Sequence, residues 1–173
     1  MAKRPTIAGM VEGVVVQPVE PSRTYVLRQQ VLRPKMRLEE MGLFGDDGPD
    51  TGIYAAVDEA TGEVVGTGTV RREEPPPGLA ESVAPQAHAD PWRLRSMATR
   101  EDLRGTGIGA LVLDSCVRHV GALGGGFLWC NARVPARRFY ARAGFSEWGG
   151  EFEAQGVPHI VMWRMVEAEG SNP

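Results

Sequence analysis

The sequence has few cysteines: Cys116 and Cys130 are the two in 173 residues. That is too few for the disulfide framework that stabilises small secreted domains. Cys116 falls in a helical apolar stripe and Cys130 in an apolar strand, so both read as free buried thiols, which suits a reducing compartment. Histidine is nearly as scarce. His88, His119 and His159 are far apart and do not gather into a ligand set, so no metal is expected. No run approaches the roughly 18 apolar residues of a membrane span. Met1 to Met10 lacks the apolar core of a signal peptide. These absences predict a cytoplasmic protein with no membrane partner. An excess of positive charge is also missing. Lys and Arg total 19 against 22 Asp and Glu, a net charge of -3, which argues against a nucleic-acid surface. The local exception is Arg133, Arg137, Arg138 and Arg142, either a solvated helix face (the reading for Arg142) or an attraction for an anionic ligand.

What is present fits one domain over residues 1–173 with a sizeable core. Hydrophobic content of 42% and charged content of 24% are ordinary for such a chain. A strand is predicted over Gly13 to Pro18, and a helix from Ser22 as N-cap to Leu32, ended by Pro34. Lys35 to Phe44 reads as a further short helix, and Gly45 to Gly52 as an acidic loop. Ile53 to Val57 and Glu63 to Arg71 read as a hairpin. A polar stretch from Glu73 to Asp90 is long enough to be functional or disordered. Then follow a strand from Trp92 to Thr99, a helix from Ile108 to about Gly121, and a strand from Phe127 to Asn131. A short helix opens at Pro135 and ends at Gly144. Phe145 to Trp148 and Val157 to Met165 form a closing antiparallel pair, before a polar tail from Glu167. Ile108, Val112, Cys116 and Val120 recur every four residues and would face the sheet. The fold class is therefore α/β, an α+β mixed sheet with few helices.

The strongest local signal is Arg104-Gly105-Thr106-Gly107-Ile108-Gly109-Ala110, between a strand and a helix. A glycine-rich turn at a helix start presents free backbone N–H groups within the positive end of the helix dipole, which suits a phosphate or pyrophosphate. The spacing fits the dinucleotide pattern G-x-G-x-x-G/A. That reading needs a carboxylate at the end of the next strand, which here ends Cys130-Asn131-Ala132-Arg133. The same residues fit R-x-x-G-x-G/A. Downstream, Asn131 is followed by Ala136-Arg137-Arg138-Phe139-Tyr140 and then Gly144-Phe145, and Gln155 to Met162 reads as a closing strand.

These three motifs, in this order, resemble the acetyl-CoA site of the GNAT superfamily of N-acetyltransferases. The last resembles the ElaA-type acetyltransferases. The resemblance is specific from about Leu94 to Met165. It implies a GNAT-like acyl-CoA N-acyltransferase fold, with a central, mostly antiparallel sheet splayed at the cofactor strand and flanked by helices. It implies acetyl-CoA as cosubstrate, with the pyrophosphate on Arg104, Gly105, Thr106, Gly107, Ile108 and Gly109. The pantetheine would run along Met97, Ala98 and Thr99, where a backbone N–H polarises the thioester carbonyl. Asn131 would bond the pantetheine or cap a turn, and Ala136 would line the site. Tyr140 would touch the cofactor and protonate the departing thiolate, or else pack as an aromatic. The strand Trp92–Ala98 lacks the Glu that serves some family members as base, which leaves His159, Glu151, Glu153 or a water chain. A Cys130 acyl-enzyme is disfavoured, since no His-Asp pair is in reach. The expected reaction is direct N-acetylation of a small-molecule or peptide amine in a ternary complex. Alternatives are a non-catalytic acyl-CoA-binding regulator and a Rossmann-like nucleotide module. A second copy of the chain is a candidate partner. Asp46, Asp47, Asp50 and the segment Arg71 to Asp90 are expected to flank the acceptor cleft and steer a cationic amine, or to be surface loops.

Overall fold

The computed structural model describes residues 11–83 and 90–170, apart from the side chains of residues 43 and 44. The expectations for Met1 to Met10, for His88 and for the last three residues lie outside the described residues. Seven strands form one sheet in the order β1-β2-β3-β4-β5-β7-β6. They are β1 (Val14–Pro18), β2 (Gly52–Asp58), β3 (Val64–Arg72), β4 (Pro91–Thr99), β5 (Gly126–Arg133), β6 (Ser146–Ala154) and β7 (Val157–Val166). Every pairing is antiparallel except β4 with β5. Among the described residues four α-helices accompany it: α1 (Tyr25–Leu32), α2 (Leu79–Val83), α3 (Ile108–Ala122) and α4 (Arg137–Arg142).

Local chemistry accounts for most boundaries. The β2–β3 turn is set by Asp58, whose Oδ1 accepts from the N–H groups of Ala60 and Thr61 at 2.8 and 3.2 Å. The β6–β7 turn is Gln155-Gly156, both at positive φ of 55° and 72°, the pair of conformations that matches strand twist in a two-residue hairpin. The first helix departs from expectation. Pro21–Thr24 is a 3-10 turn and α1 begins at Tyr25, with Thr24 at its N-cap position. The Thr24 hydroxyl bonds back to the Pro21 carbonyl at 2.7 Å, so Ser22 caps nothing. The predicted helix near Lys35 is a 3-10 segment, Leu38–Phe44. The polar stretch after β3 contains the short α2.

The main core lies between the sheet and α3. Ile108, Val112, Cys116 and Val120 are at most 1% exposed, as a four-residue repeat on a helix requires. Gly66 and Gly68 let α3 approach β3. A Cβ on Gly66 would meet Ile108 Cγ2 at 2.7 Å, and one on Gly68 would meet Val112 Cγ1 at 3.0 Å. Thr69, next along β3, turns to the opposite face and accepts from the Arg28 guanidinium on α1. The sheet therefore separates α3 from α1; the face opposite α3 carries the Arg28 contact and a smaller apolar cluster of Leu79, Phe127, Trp129 and Val161.

Candidate active site

β4 decides the shape of the site. It pairs with β5 over Pro91–Arg93 alone, ending at Arg93 opposite Trp129. β5 then continues beside β7 as far as Arg133 opposite His159. From Leu94 onward β4 and β5 part, which is the predicted splay. A bulge helps. Thr67 faces Ala98 and Thr69 faces Arg95, so β4 has one residue more than β3 in this interval. Ser96 takes the strained φ of 53° that absorbs it. Nothing in the sequence signals this bulge.

Below the splay runs a cleft of about 950 Å³, bounded by Met97 to Thr99, the turn from Arg104 to Ala110, Arg133, Ala136 and Tyr140. The turn has the geometry an anion needs. Gly105 and Gly107 have φ of 77° and 93°, a region open to glycine and costly to other residues. Gly107 is the N-cap of α3, no side chain caps it, and the first turn carries no acidic residue. The N–H groups of the first turn have no partner within the helix. The sequence-predicted residues do not all face this cleft. Ile108 is buried in the core and the Thr106 hydroxyl bonds the Leu103 carbonyl at 2.6 Å, so from these two positions the backbone alone is on offer. Arg142 is on the cleft wall, not on a merely solvated face.

A second cavity of about 320 Å³ lies on the other side of the splay and shares Met97, Arg133, Ala136 and Tyr140 with the first. Met97 and Tyr140 thus stand where the two spaces meet. Tyr140 packs edge-to-face against Phe139 and Phe145. Burial, then the nearby Cys130 and Cys116, raise its phenol well above the usual range, so it holds its proton at neutral pH. Asn131 lines the second cavity, and its buried Oδ1 has no hydrogen-bond partner among the described residues. An unmet buried acceptor costs about 1–3 kcal/mol, and a ligand N–H there would meet it.

His159 reaches the second cavity from β7. Its Nδ1 is 2.8 Å from the Val157 carbonyl. A carbonyl can only accept, so Nδ1 carries the hydrogen and the neutral ring leaves Nε2 as a base. Phe152 stacks on the ring at 5.7 Å. Glu151 is exposed and bonded to Arg137 at 2.8 Å, and neither it nor Glu153 lines the cavity. Burial pushes both Cys116 and Cys130 up to about 12, so neither supplies a thiolate.

Among the described residues, the expected acidic acceptor wall is not found. Asp46 is paired with the buried Arg28 and Asp50 with Arg72. The Gly45–Asp50 loop lines a separate recess with Arg71 to Glu73. Sequence reasoning missed Arg33, Arg93 and Arg95, which line the second cavity together with Arg133. The signal was there, since Arg93 and Arg95 alternate with the apolar Trp92 and Leu94, but no period distinguishes a lined cavity from open solvent.

Comparison with known proteins agrees with this architecture. Residues 48–165 match the family described as Acetyltransferase (GNAT) domain. The Bacillus subtilis (strain 168) uncharacterized N-acetyltransferase YitI is 27% identical over 152 residues, covering 87% of this chain and 95% of the relative. Arabidopsis thaliana NAA60 in complex with acetyl-CoA superposes with a TM-score of 0.66 at 17% identity, over 88% of this chain and 98% of that one. Escherichia coli ElaA gives 0.62 at 20% identity, over 87% and 99%.

Proposed function

The chain belongs to the GNAT acetyltransferase family, and from that premise we propose that it moves the acetyl group of acetyl-CoA directly onto a primary amine in a ternary complex. The observation that carries this reading is the splay at Met97. It joins an anion-ready cleft to a second cavity, so that two substrates can meet from opposite sides. In this reading the backbone N–H groups from Gly105 to Gly109, with Arg104 beside them, hold the pyrophosphate. The unpaired edge of β4 and Asn131 hold the pantetheine amides. A backbone N–H at Met97 or Ala98 faces the carbonyl oxygen, where such a donor stabilises developing negative charge by about 3–4 kcal/mol. The cosubstrate supplies the acyl carbon and the thiol leaving group.

The amine arrives protonated, with a pKa of about 10. His159 Nε2, or water beside it, takes one proton before the nitrogen attacks the thioester carbon. As the C–S bond breaks, the Tyr140 hydroxyl gives its proton to the departing sulfur, and the second proton of the attacking nitrogen returns to the Tyr140 oxygen. Thiols of pKa about 12 rule against a relay through Cys130. The free buried cysteines favour a reducing compartment such as the cytoplasm, and the chain reads as a single catalytic domain.

A non-catalytic acyl-CoA-binding regulator is the second reading, favoured by the lack of a carboxylate base among the described residues of the second cavity. Release of free thiol from acetyl-CoA across an amine library separates the two. Acceptor-dependent release is expected. Tight acetyl-CoA binding with no acceptor-dependent release would establish the regulator instead.

A further inference from the structure

The face of the sheet opposite α3 has more positive charge than its own carboxylates neutralise. Glu73 serves three guanidinium groups at once. It pairs with Arg71 at 2.6 Å and with Arg93, and it is 3.8 Å from Arg95. Asp46 is taken by Arg28. Four arginines thus face two carboxylates. Arg33 and Arg133 stand at the mouth of the same cavity. The Arg133 guanidinium donates to the Leu32 carbonyl at 3.1 Å. With the Gln155 amide turned so that its oxygen faces Arg33, that oxygen accepts from Nη1 and Nη2 at 2.8 and 3.2 Å. Arg95 is the residue left worst served. Burial, then repulsion from Arg93 and Arg71, lowers its pKa. The Nε–H of Arg93 is buried with no hydrogen-bond partner among the described residues. Partly buried cations that must share one counter-charge are costly, and an anion in the cavity would relieve them.

We propose that the second cavity binds the acceptor by an anionic group, and that the acceptor is a small amine carrying a carboxylate, seated on Arg93 and Arg95. This rests on the acetyl-transfer reading for the amine end of the molecule. The anion end is independent of it. At about 320 Å³ the cavity is at the low end for small-molecule sites, which suits an amino acid. A planar carboxylate also matches the paired donors of a guanidinium. The pyrophosphate does not compete for these residues, because neither Arg93 nor Arg95 lines the cleft that holds the glycine turn.

The test pairs the standard amino acids with their C-terminal amides, which keep the amine and side chain and lose the charge. Binding to the CoA-loaded protein is measured by calorimetry, and turnover by thiol release from acetyl-CoA. At least one amino acid is expected to bind about 10- to 100-fold more tightly than its amide, as a charge-assisted pair allows. Arg95→Gln should remove that preference without changing acetyl-CoA affinity. Glu73→Gln, which frees both arginines, should increase it. Amides that bind or react as well as their acids, a preference that survives Arg95→Gln, or no binding by any amino acid would each overturn the proposal. Charge-dependent binding without thiol release would leave the anion site standing and defeat the transfer reading.

Discussion

At the scale of single residues, the role proposed for Tyr140, as acid to the departing thiolate, is both favoured and limited by its burial. Burial raises its pKa, so it carries its proton at every physiological pH. A phenol more basic than a thiolate of pKa about 8.5 gives that proton up reluctantly. Its contribution should therefore lie at the low end of general acid catalysis. Tyr140→Phe keeps the packing against Phe139 and Phe145 and should lower kcat by about 10- to 100-fold, with acetyl-CoA affinity nearly unchanged. Wild-type kcat where chemistry limits the rate would return Tyr140 to a packing role.

At the scale of elements, the turn before α3 and the bulge in β4 divide the labour. The turn offers donors, and the bulge frees a strand edge for a ligand backbone. Testing the turn requires care with glycine. At φ of 93°, Gly107→Val would strain the backbone as well as obstruct a ligand, although an added Cβ meets nothing nearer than Val11 at 3.9 Å. Arg104→Ala leaves the backbone alone. If the turn holds a pyrophosphate, Arg104→Ala should weaken acetyl-CoA binding about 10-fold without changing the melting temperature. Gly107→Val should lower both. Equal affinity for wild type and Arg104→Ala would remove that side chain from the site, and retained affinity in Gly107→Val would remove the turn itself.

At the scale of the whole molecule, the arginine-rich face links binding to acid stability. Burial pushes the Glu73 carboxyl up, but hydrogen bonds from Arg71 and Arg93, and then their charges, outweigh it and hold the group below its usual 4.5. A carboxyl depressed on folding adds stability that is present above its unfolded value and lost as pH falls through the folded one. Glu73→Gln should therefore lower the melting temperature at pH 7 and flatten its decline from about pH 5 downward. A variant with the wild-type acid slope would show that the cluster draws its stability from elsewhere.

The sequence by itself determined most of the elements and pointed to the proposed cofactor side of the site. Ile108, Val112, Cys116 and Val120 reveal α3 because burial of one helix face imposes a four-residue period. The glycines of the 104–110 turn reveal a left-handed turn because few residues other than glycine tolerate its backbone, and the proposed anion site rests on that turn. These are local constraints, and local constraints are written in consecutive residues. The acceptor side was decided by tertiary structure. Ser96 bulges because β3 and β4 must stay paired while β5 leaves. Asp46 and Asp50 read as free acidic side chains until Arg28 and Arg72 are folded against them. Arg33, Arg93, Arg95 and Arg133 come from three separate segments, α1's end, β4 and β5. Their shared charge appears only once the sheet and helix bring them around one cavity, because electrostatic neighbourhood depends on distance in space and not along the chain.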